Sequence, residues 1–422
     1  MRKRTIAAGM ALPLASLLAA CGSNPPTGGI PSYSDNVTIV LDTPQSALPY
    51  VAKFTLQGAQ LAADEINRAG GIKVGGKAYG VKLEQKDNAL SPTTALANVN
   101  AAIGEKAVAV IDDGYTVSST FDAANRAGLP ILVDYNSEAQ LIDTDKRPNV
   151  FRITPPNDAM AAKLAPYVAA HGKKFALVTD DSSYGVDGAA QLTDAMAKAG
   201  LIVSPKLTLP SNATEYATQA LQVKQAGVDG VVLWARAPVL AGFLRALRAG
   251  GSSVPVYSGP TAEDPVVRDQ LASVTGGVEG LTYASFRITT ETGPESWDAF
   301  RKKYEDHNFN DNAPDFHVGV KAKDGKDVVQ PPDWQIFPYD MVYLVKAAIL
   351  RAGTVDTAGG KLIDALDNVQ IKSANGDNRG WKKDNHEGVV DDDIYFATFS
   401  DNKFKPVQDD PLSKSLPPID QE

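Results

Sequence analysis

The chain has 422 residues, 43% of them hydrophobic, and a formal net charge of −9; it is too long for one ordinary domain and apolar enough for two or three. The acidic balance, with no basic stretch interleaved with aromatics, excludes a nucleic-acid binder. One cysteine, Cys21, excludes an intrachain disulfide framework, and the four scattered histidines give no metal pattern. No HExxH, CxxC, GxSxG or Walker A motif occurs, so no metal, cofactor or catalytic set is expected.

The N-terminus opens with basic Arg2-Lys3-Arg4 and an apolar run from Ala7 to Leu18. That run is too short to span a membrane well as a mature helix and reads as a signal segment. It ends in Leu18-Ala19-Ala20-Cys21, which resembles the bacterial lipobox. The resemblance implies cleavage after residue 20 and a lipid on Cys21. Residues 21–35, rich in Gly, Pro and Ser, then form a flexible tether. The expected location is outside the cytoplasmic membrane, lipid-anchored to it, in the periplasm or at the cell surface. No other stretch reads as a membrane helix.

Val37 to Val40 is β-branched and predicts a strand, followed by a loop over 42–50. Leu56, Ala59, Ala62, Ala63 and Ile66 recur at helical spacing, and Arg68-Ala69-Gly70-Gly71 closes that helix. Gly80 to Gln85 alternates as a strand. Ser91-Pro92 opens a helix with Ala95, Val99, Ala102 and Ile103 on one face. Ala107 to Ile111 is a buried parallel strand, and 112–117 is a loop. Ser118-Ser119-Thr120 can cap the next helix. Leu129 to Val133 is a strand that runs into Asp134-Tyr135-Asn136-Ser137.

Residues 151–156 read as a crossing. A helix over 161–170, a strand over 175–179, a loop over 180–185 and a helix over 188–199 follow. Gly230 to Leu233 is a strand ending at Trp234-Ala235-Arg236. A helix then reaches Arg248, and Pro255 to Ser258 leads to Gly259-Pro260-Thr261-Ala262-Glu263-Asp264. Gly280 to Phe286 is a second crossing strand. The helix over 295–306 carries Trp297, Phe300 and Tyr304 as core contacts. Residues 321–333 are a polar insertion or loop, and helices follow over 339–351 and 358–366. Residues 373–393 read as irregular, with Asp391-Asp392-Asp393 a solvated turn and a calcium site its weaker alternative. Ile394 to Phe399 is the last strand, and the chain is expected to fray after Val407.

Cation-Ala-Gly helix ends recur at 126–128, 198–200, 248–250 and 351–353, with Gln225-Ala226-Gly227 as a variant. Most feed a strand, which describes repeated βαβ units and parallel sheets. Ala107 to Val133 and Gly230 to Ser258 repeat one pattern of strand, loop, helix, Arg-Ala-Gly, proline and strand. Two similar lobes follow, with a cleft between the carboxyl ends of their strands.

These elements resemble the type I periplasmic solute-binding proteins, in the leucine/isoleucine/valine-binding branch of ABC importers. The resemblance is carried by Gly58 to Asn67 with Gly70-Gly71-Ile72, and by Asp87 with Ser91-Pro92. The Ser-rich turn at 118–120, Gly128-Leu129-Pro130-Ile131, Tyr184-Gly185, Gly259-Pro260, Tyr339-Asp340 and Ala352-Gly353 add to it. It implies an α/β fold of two Rossmann-like lobes joined by a three-crossing hinge that closes on a small solute. By analogy the first lobe takes 36–153 with 286–376, the second 154–285 with 377–410, and 411–422 is a tail.

Family resemblance also implies the site. A ligand carboxylate would meet Ser118, with Ser119 and Thr116 as near neighbours, at a helix N-terminus whose free N–H groups favour an anion. Tyr135 and Ser137 match the next strand-end loop. Tyr184 suits a cover over the ligand, although a packed loop residue would look the same. Trp234 and Arg236 match a further loop, with Trp234 equally suited to a core. The family's amine-binding glutamate is replaced by Thr261, with Glu263 and Asp264 just beyond. Either the amine site is displaced or the ligand has no amine.

The expected function is therefore non-enzymatic. It is binding of a branched-chain-type amino acid or related small carboxylate, with delivery to an ABC permease. The alternatives are a ligand-sensing lipoprotein without transport and a binder of a non-amino organic acid.

Overall fold

The computed structural model describes residues 29–286, 294–307, 317–321, 325, 327–329, 334–374, 378–389 and 394–415. The signal segment, Cys21, most of 321–333 and the Asp391-Asp392-Asp393 turn lie outside them.

The apolar runs form two open sheets. The first contains β1 (Asn36–Thr43), β2 (Ile72–Val74), β3 (Lys77–Asp87), β4 (Ala109–Asp112), β5 (Ile131–Val133) and β6 (Val150–Arg152), in the order β2-β3-β1-β4-β5-β6. All its pairings are parallel except the β2–β3 edge. The second contains β7 (Lys174–Asp180), β8 (Ile202–Leu209), β9 (Gly230–Trp234), β10 (Val256–Ser258) and β11 (Leu281–Phe286). Two short antiparallel pairs follow in the chain, β12 (His317–Lys321) with β13 (Asp327–Val329) and β14 (Gln370–Lys372) with β15 (Asn378–Gly380). β16 (Ile394–Ser400) and β17 (Lys403–Pro406) then complete the second sheet in the order β17-β16-β11-β10-β9-β7-β8. β16 lies antiparallel to β11 and β17 antiparallel to β16; the rest is parallel.

Helices cover both sheets, as parallel strands require. α1 (Pro49–Arg68) buries Phe54, Leu61 and Ile66 against Ile39 and Leu41 of β1. Burial of one such side chain is worth about 1.5–3 kcal/mol. α2 (Pro92–Gly104) and α3 (Val117–Arg126) cover the other face, with Val99 and Ala124 packed on Val40, Val110 and Ile131. The second lobe carries α4 (Asn157–Ala169), α5 (Ser183–Lys198), α6 (Ala217–Gln225), α7 (Ala237–Ala249) and α8 (Pro265–Leu271).

α9 (Pro294–Asp306) returns to the first lobe. Tyr304 OH donates to Gln57 of α1, and His307 Nε2 lies 2.8 Å from Asp64 Oδ2. Phe300 and Tyr304 are buried as expected, while the Trp297 side chain lies outside those described. α10 (Ile336–Ala352) packs on α1 so closely that a Cβ at Gly58 would stand 2.1 Å from Gln335 O. α11 (Lys361–Leu366) follows α10, and α12 (Pro411–Ser415) closes the described chain.

The helix-end reading needs one adjustment. Gly128, Gly200, Gly227 and Gly353 all take left-handed φ, but at 248–251 it is Gly251 that does so. Two further readings are corrected. Residues 373–393 were expected to be irregular, yet 381–389 forms a strap against β6. Arg152 N donates to His386 O at 2.9 Å, and Gly388 N donates to Arg152 O at 2.8 Å. Trp381 and His386 are buried there, and the second sheet resumes at Ile394. The chain also does not fray at 407. Ser413 Oγ accepts from Phe396 N at 2.8 Å, and Asp409 meets His171 and Tyr167 of the α4 region, so α12 docks on the second lobe.

Candidate functional site

The carboxyl ends of the strands of both sheets face the space between the lobes. In the first lobe the turn after β4 is wound by its own carboxylates. Asp112 Oδ1 accepts from Gly114 N at 2.6 Å and Asp113 Oδ1 from Tyr115 N at 2.9 Å. Gly114 has φ +97°, and a Cβ there would meet Asn136 and Val133 at 2.6 Å. This tight turn starts α3 at Val117, with Thr116 at the N-cap. The expectation that Ser118 to Thr120 cap the helix is thus displaced by two residues. Ser118 is exposed on the first turn, and Ser119 Oγ donates to Thr116 O at 2.7 Å. Thr116 is 2% exposed, and its hydroxyl has no partner among the described residues.

The loop after β5 carries Tyr135 and Ser137, both buried. The Tyr135 ring lies 5.2 Å from Trp334, 5.9 Å from Phe54 and 6.2 Å from Tyr115. Ser137 O accepts from Asn157 N at 2.6 Å, where the chain enters the second lobe. Arg152 Nη1 donates to the carbonyls on either side, Asn136 O at 3.2 Å and Glu138 O at 2.7 Å.

Beneath these loops lie Asp42, Asp112, Asp113 and Asp134, all fully buried at the ends of β1, β4 and β5. Asn98 donates to Asp42 at 2.7 Å, Asn88 to Asp113 at 2.5 Å and Thr55 to Asp134 at 2.6 Å. Asp42 Oδ2, Asp112 Oδ2 and Asp134 Oδ1 have no partner among the described residues. Burial pushes Asp42 up to about 7 and Asp113 to about 6, and holds Asp112 and Asp134 well above the usual carboxylate range.

In the second lobe Asp180, at the end of β7, organises two loops. Its carboxylate accepts from Ser182, which caps α5, and from Arg236 N at 2.9 Å. Arg236 Nε is 3.7 Å from the same carboxylate, and its side chain is 23% exposed. Tyr184 stacks on Trp234 with centroids 5.8 Å apart. Trp234 is fully buried and donates to Asn157 Oδ1 at 3.3 Å, so it forms the bed under Tyr184. Thr261 Oγ1 donates to Ala235 O at 2.9 Å. Glu263 is buried and accepts from Ser285 Oγ on β11. Asp264 accepts from Val266 N at 2.9 Å, and burial raises its carboxyl to about 7.

The lobes face each other at close range. Asp187 Oδ2, on α5, accepts from Ala139 N of the first lobe at 3.0 Å and from Asn157 Nδ2 at 2.8 Å. Arg236 acts electrostatically on the hydroxyls of both Tyr115 and Tyr135, and Asp264 acts on Tyr135. The structure therefore brings Tyr135, Tyr184, Arg236 and Thr261 near one another across the two lobes, with Ser137 on the Tyr135 loop and Thr116 buried next to Tyr115 in the chain. It leaves Ser118 exposed, Ser119 turned to a backbone carbonyl, Trp234 behind Tyr184 and Glu263 on Ser285. Tyr115 was not singled out as a site residue, while Asp264 was weighed with Glu263 as a displaced carboxylate; both lie near Tyr135. Both lie in strand-end loops already marked, which was the only available signal. Among the described residues no three His, Cys, Asp or Glu side chains are arranged to hold a metal ion, and no helix is long and apolar enough to cross a membrane.

The decisive comparison is with the periplasmic binding protein family, whose model matches residues 40–403. The chain belongs to that family. Its architecture is the type I periplasmic binding protein fold. The Leu/Ile/Val-binding protein homolog 8 of Brucella abortus is 26% identical over 298 residues, 65% of this chain and 72% of its own length. The branched-chain amino acid transporter substrate binding protein LivJ from Streptococcus pneumoniae, in complex with isoleucine, has a TM-score of 0.72 at 20% identity, over 88% of this chain and 98% of its own. An ABC transporter solute binding protein from R. palustris, in complex with benzoate, has a TM-score of 0.69 at 17% identity, over 87% and 94% of the two chains. This periplasmic binding protein is thus a small-molecule binder of an extracytoplasmic family.

Proposed function

We propose that the protein is the lipid-anchored solute-binding component of an ABC importer, and that it closes on an amino acid. The placement of Asp264 carries the amino-acid reading. The loop after β10 lacks the family glutamate, yet it holds Asp264 near enough to Tyr135 for the carboxyl to act electrostatically on that hydroxyl. A buried ammonium needs a carboxylate partner, because an unpaired one costs several kcal/mol. Asp264 supplies it from the same loop, so Glu263, held by Ser285, is not needed for that role. The ligand carboxylate would sit against Thr116 and the free N–H groups at the head of α3, with Ser137 on the neighbouring loop. Closure, not bond-making, is the event, and the loaded form is what a permease would read. The anchoring part of the proposal is supported by Leu18-Ala19-Ala20-Cys21 alone.

Benzoate in a solved neighbour keeps a non-amino organic acid as the competing ligand class. A matched pair decides: an amino acid and its keto acid, each titrated against wild type and Asp264→Asn. Amino-acid preference that collapses in the variant supports the reading. Equal keto-acid binding, untouched by the substitution, overturns it. Small-angle scattering adds a test of mechanism, since the radius of gyration must fall on saturation if the lobes close.

A further inference from the structure

We infer that the strap over 381–389 is a proton-dependent clamp on the hinge, fastened by His386 and Asp367. His386 Nδ1 lies 2.9 Å from Val150 O, and Nε2 lies 2.9 Å from Asp367 Oδ1. A carbonyl oxygen only accepts, so Nδ1 carries a hydrogen and the hydrogen-bond network fixes the tautomer. Nε2 and an ionised carboxylate would then face each other as two acceptors. Their contact is a hydrogen bond only while one further proton lies between them, and that proton belongs to the pair rather than to either residue. With it the strap is fastened; without it two lone pairs oppose each other.

Water has little access to the contact, because the two side chains are 2% and 10% exposed. The Phe151 ring is stacked on the imidazole with centroids 4.0 Å apart, and its face favours the charged form. The charged groups around the pair are Asp364 on α11, Lys383 and Glu387 on the strap, Arg152 on β6 and Arg379 on β15. Arg152 and Glu387 neutralise each other, Arg379 Nη1 donates to Gly388 O, and Asp364 and Lys383 act on Asp367 with opposite signs. The contact at Nε2 therefore turns on the shared proton. Asp367 follows α11 and Val150 opens β6, so this one proton joins three segments at the root of the passages to the second lobe. The clamp is complete at low pH and is lost as pH rises. A protein of an extracytoplasmic family meets the pH of its surroundings, and the stiffness of this hinge would follow it.

Hydrogen exchange on the full chain reads the clamp without any solute. Arg152 N and Gly388 N are the amides that hold the strap and β6 together. After correction for the intrinsic pH dependence of exchange, their protection should fall at least about tenfold more than that of the β7 and β9 amides between about pH 5.5 and about pH 9. Asp367→Asn is the diagnostic variant. Its carboxamide can turn an N–H toward the bare nitrogen, so the bridge no longer needs a shared proton. In that variant the Arg152 and Gly388 amides should track β7 and β9 across the whole range. Wild-type strap amides that already track β7 and β9 overturn the inference, and this profile decides alone if the variant does not fold. A fall in Asp367→Asn as steep as in wild type overturns it too. The inference concerns the hinge and not the solute, so its failure leaves the amino-acid reading to its own test.

Discussion

Arg152 and Glu387 form a two-pronged ion pair, Nε to Oε2 at 2.9 Å and Nη2 to Oε1 at 2.5 Å, between positions 235 residues apart. The Arg152 side chain is fully buried and the Glu387 side chain 21% exposed. The same guanidinium holds the carbonyls that flank Ser137. The strap, the first crossing and the loop after β5 thus share one cation. Glu387→Gln leaves that buried charge without its counter-ion and should destabilise the fold by on the order of 3 kcal/mol. Urea unfolding measures the loss. Ligand affinity in the folded variant should also fall, because the Ser137 loop loses its anchor.

Thr116 separates binding from stability. Its buried hydroxyl has no described partner, a situation that costs about 1–3 kcal/mol. Thr116→Val should therefore keep or raise the melting temperature without ligand while weakening binding. Ser118→Ala, at an exposed position, should leave affinity within about 0.5 kcal/mol of wild type. Calorimetry that shows the opposite order would move the carboxylate subsite back to Ser118.

The buried carboxylates set the pH response of the unliganded protein. Asp42 titrates near 3.8 when unfolded and near 7 when folded, so the native state holds a proton that the unfolded chain releases. Its contribution is complete below the unfolded value and is lost as pH rises through the folded one. Asp42→Asn fixes the neutral form while keeping an acceptor for Asn98. The variant should match wild type near about pH 4 and exceed it by a few kcal/mol above about pH 8, because each tenfold change in proton affinity is worth about 1.4 kcal/mol. Denaturant melts across that range check it; a constant gap would mean that Asp42 ionises normally.

Anchoring is tested at Cys21. Cys21→Ala should appear in the soluble fraction or retain its signal segment, as read by fractionation and mass spectrometry. A variant that fractionates and migrates like wild type would remove the lipid.

The fold was readable because its signals are local and repeated. Val37 to Val40, the apolar face of α1 and the Arg-Ala-Gly endings each mark an element without reference to distant residues. The site was readable only to the loop. Thr116 rather than Ser118 stands at the N-cap position of α3 because Asp112 and Asp113 bind the backbone two residues ahead of them, which the helical pattern of 117–126 does not encode. Glu263 and Asp264 are adjacent acids, and only the position of Ser285, 22 residues away from Glu263, separates their surroundings. The strap over 381–389 was missed because its buried Trp381 and His386 are isolated in a polar stretch, with partners near residue 150.

That strap also constrains how the molecule can move. The Arg152–Glu387 bridge is parallel, so two lobe-to-lobe passages run side by side as a narrow ribbon. A ribbon flexes readily across its width, but torsion must shear the backbone bonds between its strands. Opening should therefore follow a single axis, and each cycle should return the second lobe to the same azimuth. A membrane partner that contacts both lobes would then meet one docking face in every loaded copy, so solute occupancy alone would set how often that face is presented.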